Sequence, residues 1–157
     1  MYHEINSEWI ELSKKLHKES HFLHKRITPE ALALAAAEDR IAVRRKGRDV
    51  IACCVLWPAL VVTCFEAGTI WVDEPFRGNG LCKQVFLECI EKRNGLPLFL
   101  ITAHEGIKAM VSGCGWIEER RDWRRVLRWK RVADPWGKRY PKGSTIKVPG
   151  KLFFNYW

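Results

Sequence analysis

The chain has 157 residues, 47% of them hydrophobic and 11% aromatic, which suffices for one folded domain and excludes an intrinsically disordered protein. No apolar run approaches the roughly 18 residues that a membrane-spanning helix needs, so no membrane association is predicted. The amphipathic N-terminus contains acidic residues and predicts no signal peptide, so we expect a cytoplasmic protein. The formal net charge of +9 favours an anionic partner.

Six cysteines lie inside apolar segments and never form a C-x-x-C pair. This pattern favours small buried hydrophobic residues in a reducing compartment over a metal site or a disulfide framework. We therefore predict no bound metal. The six are Cys53, Cys54, Cys64, Cys82, Cys89 and Cys114.

Two helices are predicted in the first 40 residues. An apolar stripe at spacings of four, three and four predicts a first amphipathic helix, with Asn6 or Ser7 as its cap. The sequence Thr28-Pro29-Glu30 supplies a cap, a proline at the first helical position and an acid in the first turn, so a second helix begins there and runs to about Glu38. The stripe of the first helix comprises Ile5, Trp9, Leu12 and Leu16.

Three strands follow the second helix. Ile41–Arg45 and Val50–Trp57 read as a pair of strands joined by a glycine turn, and Pro58 ends the second strand. A long strand covers Leu60–Val72. Gly68 inside it predicts a bulge or a close backbone approach.

The remaining predicted elements alternate between helix and strand before two final strands. A helix from about Asn79 to Arg93 keeps one broad apolar side. Leu98–Ile101 is a continuous apolar run, as expected of a strand covered on both faces. A short helix covers Glu105 to Ser112, and Trp116–Arg121 and Arg124–Val132 read as strands. No element is predicted for the tail that follows.

A glycine-containing turn joins the long strand to the next helix. The turn is Arg77-Gly78-Asn79-Gly80-Leu81-Cys82. Glycines let the backbone come close to a ligand, and the N–H groups of a first helical turn together with the helix dipole favour an anion. The turn lacks the Lys-Ser/Thr pair of a P-loop and the spacing G-x-G-x-x-G, so it predicts a phosphate site of another kind.

This turn resembles the acyl-CoA-binding motif of the GNAT superfamily of N-acetyltransferases, Gln/Arg-x-x-Gly-x-Gly/Ala. Arg77 and Gly80 match the motif, whereas Cys82 stands where Gly or Ala is usual. The order of elements is also similar to that of the family, with a short first strand expected within residues 1–5. The resemblance covers roughly residues 1–132, including a segment that closes with Gly115-Trp116 where the family typically has Gly-Phe.

The resemblance implies a single α/β domain with a mixed, splayed central sheet flanked by helices. It implies transfer of an acetyl group from acetyl-CoA to a primary amine, by direct attack within a ternary complex. The pantetheine arm of the cofactor would pair with the backbone of Ile70, Trp71 and Val72. The pyrophosphate would bind the backbone N–H groups of Arg77, Gly78, Asn79, Gly80, Leu81 and Cys82.

The resemblance also suggests catalytic groups. Glu66 stands where many family members carry a general base, although a structural glutamate is the alternative. The family's tyrosine acid corresponds to Val111, which leaves the general acid unassigned. His104 occupies a position where an Asn commonly touches the cofactor, and helix capping is the favoured alternative. Nothing in the sequence activates Cys54 or Cys64 as an acylated nucleophile.

The positive charge is concentrated at the end of the chain. Arg120–Trp157 contains twelve Lys and Arg against two acidic residues, whereas the preceding 119 residues contain 15 basic and 16 acidic residues. We assign residues 133–157 to a basic, aromatic extension packed on the domain. Trp129 lies among the basic residues of Arg124–Arg131, and an aromatic ring among positive charges suits a polyanion. Two alternatives therefore remain: an enzyme acting on aminoacyl-tRNA or another nucleic-acid amine through Arg120–Lys151, and a non-catalytic module that binds acyl-CoA or nucleic acid.

Overall fold

A computed structural model describes residues 6–19, 26–58, 64–118 and 151–155, and these fall into two compact units interleaved along the chain. The first unit comprises Met1–Trp57 and Ala67–Asn94, and the second comprises Pro58–Glu66 and Gly95–Trp157. The helices are α1 (Ser7–His17), α2 (Pro29–Ala37), α3 (Leu81–Glu91) and α4 (Glu105–Gly113). The strands are β1 (Ile41–Lys46), β2 (Asp49–Pro58), β3 (Phe65–Val72), β4 (Leu98–Thr102), β5 (Ile117–Glu118) and β6 (Lys151–Asn155).

The first two helices begin where the capping residues predicted. The Asn6 side chain accepts a hydrogen bond from the Glu8 N–H at 3.3 Å, and Thr28 Oγ1 accepts one from the Ala31 N–H at 3.2 Å. Pro29 occupies the first turn of α2, where its missing N–H has no partner to lose. The predicted starts of both helices are confirmed.

The core of the first unit lies between α1, α2 and one face of the strands. β1 pairs with β2 in antiparallel orientation. Alternation along β2 directs Cys53, Val55 and Trp57 into this core, as expected of a pleated strand. Each large side chain buried here contributes about 1.5–3 kcal/mol relative to an exposed one. The helical residues of the core are Trp9, Leu12, Leu16, Leu32, Ala33 and Ala35.

Helix α3 packs against β1. Its buried residues Val85, Phe86 and Cys89 confirm the predicted apolar side. The Cys89 thiol donates to the Cys54 carbonyl at 3.2 Å, and burial raises the pKa of the Cys54 thiol well above its ordinary value. These cysteines therefore serve as packing residues, as predicted, and both faces of β2 are covered.

The second unit contains three further strand pairs. Phe65 and Glu66 at the start of β3 pair in parallel with β4, and β4 pairs in antiparallel orientation with β6 over five residues. β6 also pairs with β5, so the spatial order is β3, β4, β6, β5. Phe153 of β6 is 1% exposed. Sequence analysis assigned no element to the tail, and the structure shows that its apolar end is a strand inside the sheet.

The predicted fold class, mixed α/β with helices flanking the strands, is confirmed by these pairings. Several sequence predictions lie outside the described residues: the short first strand, the start of the long strand at residues 60–63, and everything predicted for residues 119–150, including the boundary between residues 132 and 133. Among the described helices, none is long and apolar enough to cross a membrane.

Candidate functional site

The central strand β3 is irregular at the position where Gly68 predicted it. A Cβ on Gly68 would lie 3.1 Å from Cδ1 of Trp57, and Thr69 has a left-handed backbone with φ of 49°. Thr69 Oγ1 accepts a hydrogen bond from Trp57 Nε1 at 3.0 Å. The predicted close approach is therefore the packing of the Trp57 indole across the glycine, and Thr69 anchors that indole.

The end of β3 presents alternate backbone groups to its two edges. The Asp73 N–H donates to the Ile51 carbonyl of β2 at 2.8 Å. Because hydrogen-bonding direction alternates along a strand, the N–H and C=O of Ile70 and Val72 point away from β2, whereas those of Trp71 point toward it. The Trp71 side chain is buried in the core of the first unit. Of the three residues predicted to bind pantetheine, Ile70 and Val72 are thus the ones whose backbone faces the outer edge.

The glycine loop follows a 3₁₀ turn at Glu74–Phe76. Gly78 and Gly80 both have left-handed backbones, with φ of 82° and 74°, and a Cβ on either would meet no atom within 4 Å. The Asn79 side-chain amide donates to the Phe76 carbonyl at 3.1 Å and to the Arg77 carbonyl at 3.3 Å. The loop is therefore fixed by Asn79, and open space lies beside its glycines.

Helix α3 starts differently from the other described helices. Each of α1, α2 and α4 has a side-chain cap and an acidic residue in its first turn. Helix α3 has Gly80 at its N-cap, no side-chain cap and no acid in its first turn, and the sequence places Lys83 there instead. A cation at a helix N-terminus is unfavourable in the helix dipole unless an anion binds nearby. The start of α3 is therefore electropositive and suited to a phosphate.

The guanidinium of Arg77 is held on two sides. Its Nε donates to the Val72 carbonyl at 2.9 Å, and its Nη2 donates to Glu19 Oε1 at 2.9 Å. Arg77 thus connects the loop to the end of β3 and to the residue two positions after α1. Sequence analysis missed Glu19, because it lies 58 residues from Arg77 along the chain and no motif marks it.

Cys82 lies in the first turn of α3, where the family motif usually has a smaller residue. Its side chain is half-buried, and burial raises the pKa of the Cys82 thiol. The thiol is therefore mostly protonated near neutral pH and adds bulk without charge. Leu81, before it, is also half-buried.

Glu66 belongs to the second unit, where it pairs with Phe99 of β4. It is 4% exposed, so its carboxyl group is buried. The same strand that carries Glu66 continues to Ile70 and Val72.

His104 caps α4, which was the favoured alternative in the sequence analysis. Its Nδ1 accepts a hydrogen bond from the Ile107 N–H at 3.4 Å, so Nε2 is the nitrogen that remains to contact a ligand. A Cβ on Gly106 would lie 3.1 Å from His104 Cε1, so glycine leaves room for the ring. Val111 is fully buried, so the family's tyrosine position holds a packing residue here.

A groove of about 530 Å³ in the first unit lies elsewhere, along α1 and the turn between β1 and β2. Charged residues on its walls are already paired: Arg45 Nε binds Glu8 Oε1 at 2.5 Å, and Lys15 Nζ binds Asp73 Oδ2 at 3.0 Å. The hydrogen bond to Glu8 raises the pKa of Arg45. We assign no function to this groove because its charges neutralise each other.

Comparison with protein-family models returned no match, and comparison with curated proteins returned none either. Solved structures do match. Diaminobutyrate acetyltransferase EctA from Paenibacillus lautus, in complex with L-2,4-diaminobutyric acid and coenzyme A, superposes with a TM-score of 0.66 at 9% identity, over 94% of this chain and 88% of that one. An acetyltransferase of the GNAT family from Staphylococcus aureus gives 0.55 at 15% identity, over 98% and 94%.

N-acetylglutamate synthase from Neisseria gonorrhoeae, complexed with coenzyme A and N-acetyl-glutamate, gives a TM-score of 0.61 at 14% identity. The match covers 98% of this chain but spans only 33% of that enzyme. At identities this low, the superpositions establish the fold, whereas the activity has to be inferred from the residues of the site. The chain therefore has the fold of the GNAT-family acetyltransferases that it superposes on.

Proposed function

We propose that the protein is an acetyl-CoA-dependent N-acetyltransferase that acts on a primary amine of a small molecule or peptide. The observation that carries this proposal is the start of α3, which follows two left-handed glycines and has neither a side-chain cap nor an acidic residue in its first turn. A helix built in this way favours a bound diphosphate. Neighbours of the same fold were crystallised with coenzyme A, which supports the identity of that ligand.

The described residues fit the cofactor. The open space beside Gly78 and Gly80 admits a diphosphate close to the backbone, and the N–H groups from Gly78 to Cys82 would bind it. The Arg77 N–H already donates to the Glu74 carbonyl at 3.2 Å, so Arg77 would contribute through its guanidinium. The outward N–H and C=O of Ile70 and the outward N–H of Val72 would pair with the pantetheine amides, because the Val72 carbonyl already accepts from Arg77 Nε. Trp71 lies between these two residues. His104 Nε2 would supply a further contact. When bound, acetyl-CoA supplies an acetyl group activated as a thioester.

Proton transfer is assigned to Glu66. An amine acceptor is protonated at neutral pH and must lose a proton before it attacks, and a buried carboxylate can accept that proton directly or through a water molecule. A covalent route through cysteine is disfavoured, because burial raises the pKa of the Cys53 and Cys54 thiols. Attack by the amine within a ternary complex is therefore the proposed mechanism. No tyrosine acid is available at Val111, so the proton for the leaving thiolate comes from another group.

The acceptor is proposed as a class only. EctA is bound to a diamino acid and N-acetylglutamate synthase to an N-acetylated amino acid, which supports a small primary amine. The test is turnover of acetyl-CoA with a panel of amino acids, diamines, polyamines and short peptides, with N-acetylated product identified by mass spectrometry. Absence of both CoA binding at millimolar concentration and acetylated product would refute the proposal.

A second candidate rests on the charge of the last quarter of the sequence. Its excess of ten positive charges is more than coenzyme A requires, and it also contains aromatic residues such as Trp129 that can stack on bases. We infer as an alternative that the acceptor amine belongs to an aminoacyl-tRNA or another nucleic acid bound by Arg120–Lys151. A non-catalytic module would bind acyl-CoA or nucleic acid without forming an acetylated product, so the turnover assay separates it from both enzyme proposals.

A further inference from the structure

Glu19 brings a carboxylate to the glycine loop. It lies two residues beyond α1, and its Oε1 accepts a hydrogen bond from Arg77 Nη2 at 2.9 Å. The side chains of Arg77 and Glu19 are 52% and 28% exposed. Arg77 is anchored independently by the bond from its Nε to the Val72 carbonyl.

We propose that Glu19 is a specificity-determining residue of the donor site, whose carboxylate competes with the ligand's diphosphate for Arg77. The inference rests on the proposed function, because it takes the loop to be the diphosphate site. The start of α3 carries no acidic residue of its own, and Lys83 adds positive charge there. Glu19 thus acts as a counter-ion of the loop that a more highly charged ligand displaces.

Two features favour competition over mere positioning of Arg77. Both side chains of the ion pair are partly exposed, and pairs in contact with solvent contribute little to stability, so a ligand can open this one. The Val72 carbonyl holds the guanidinium by Nε when Glu19 leaves, so Arg77 stays at the loop. A diphosphate carries at least two negative charges against the one of Glu19, and therefore wins the exchange, whereas an uncharged pantetheine derivative does not.

The consequence is a charge-dependent affinity. Neutralising Glu19 removes one negative charge beside Arg77 and frees one guanidinium edge, so it tightens CoA binding by about threefold to tenfold at low salt. Near 1 M salt the Debye length falls to about 3 Å, and the gain should shrink below about twofold.

The test is isothermal titration of the full chain with CoA, dephospho-CoA and pantetheine. The variant Glu19→Gln should bind CoA and dephospho-CoA more tightly than the unmodified protein and should leave pantetheine binding unchanged. Glu88→Gln is the matched control, because it breaks a comparably exposed arginine pair of the same unit, between Arg44 of β1 and Glu88 in the second half of α3. Glu19→Ala repeats the test if the first variant melts below the control.

Unchanged or weaker CoA binding in both Glu19 variants would overturn the inference. An equal gain for pantetheine would also overturn it, because the effect would then not act through the diphosphate. Either result, with CoA still bound by the unmodified protein, leaves the proposed donor site intact. Failure of the unmodified protein to bind CoA would refute the proposed function and this inference together.

Discussion

Replacing Gly80 by alanine tests whether the space beside the loop is the diphosphate site. The added Cβ would meet no protein atom within 4 Å, so it disturbs the fold only through the backbone. Gly80 has φ of 74°, and a left-handed backbone costs a residue with a Cβ about 1–2 kcal/mol. Gly47, in the turn between β1 and β2, is a matched control, because it has φ of 61° and equally open surroundings.

The two variants should therefore lose similar stability without ligand. For a chain of this size, a loss of about 1–2 kcal/mol lowers the melting temperature by roughly 2–8 °C. A ligand at about 100 times its dissociation constant adds about 2.7 kcal/mol, or roughly 5–10 °C. The unmodified protein and Gly47→Ala should show this gain with acetyl-CoA. Gly80→Ala should lose most of this rise in melting temperature, because its methyl group would fill the space in which the diphosphate comes close to the backbone.

Differential scanning fluorimetry with and without acetyl-CoA provides the measurement, and titration calorimetry confirms the affinities. Equal ligand-induced shifts in Gly80→Ala and Gly47→Ala would show that nothing binds against Gly80. The loop would then not be the diphosphate site, even if the protein binds acetyl-CoA elsewhere.

Two further predictions concern the same site, and a third concerns the basic region of the sequence. Glu66→Gln should lower kcat by about 100-fold or more with little change in CoA affinity, and an unaltered pH–rate profile would return Glu66 to a structural role. Bound CoA should slow the alkylation of Cys82 at pH 8 to 9 and leave the alkylation of Cys114 unaffected, as measured by peptide mass spectrometry. Equal protection of the two thiols would argue against contact between CoA and the glycine loop. If the basic region holds nucleic acid, tRNA binding should weaken steeply with salt, and neutralising three arginines together should flatten that slope without changing CoA binding. A slope that stays unchanged would remove the basic region from nucleic-acid binding. The three are Arg125, Arg128 and Arg131.

Local features of the fold could be predicted from the sequence. Asn6 and Thr28 cap their helices by hydrogen bonds to N–H groups two and three residues further along the chain, so a short segment of sequence suffices to predict where α1 and α2 begin. The glycine loop was also predictable, because the left-handed conformations of Gly78 and Gly80 are ones that glycine adopts most readily. His104 capping α4 belongs to the same class of interaction, since its partner is three residues away.

Tertiary structure decided the features that join distant parts of the chain. The strand Lys151–Asn155 pairs with Leu98–Thr102, and its place beside β4 depends on which sheet edge is open after the rest has folded. The contact of Glu19 with Arg77 likewise exists only because packing brings two separate loops together. Sequence periodicity reports which face of an element is apolar, but it does not report the partner that covers that face. Closing long loops costs entropy that only the assembled core offsets, and the final neighbours are therefore a property of the whole fold.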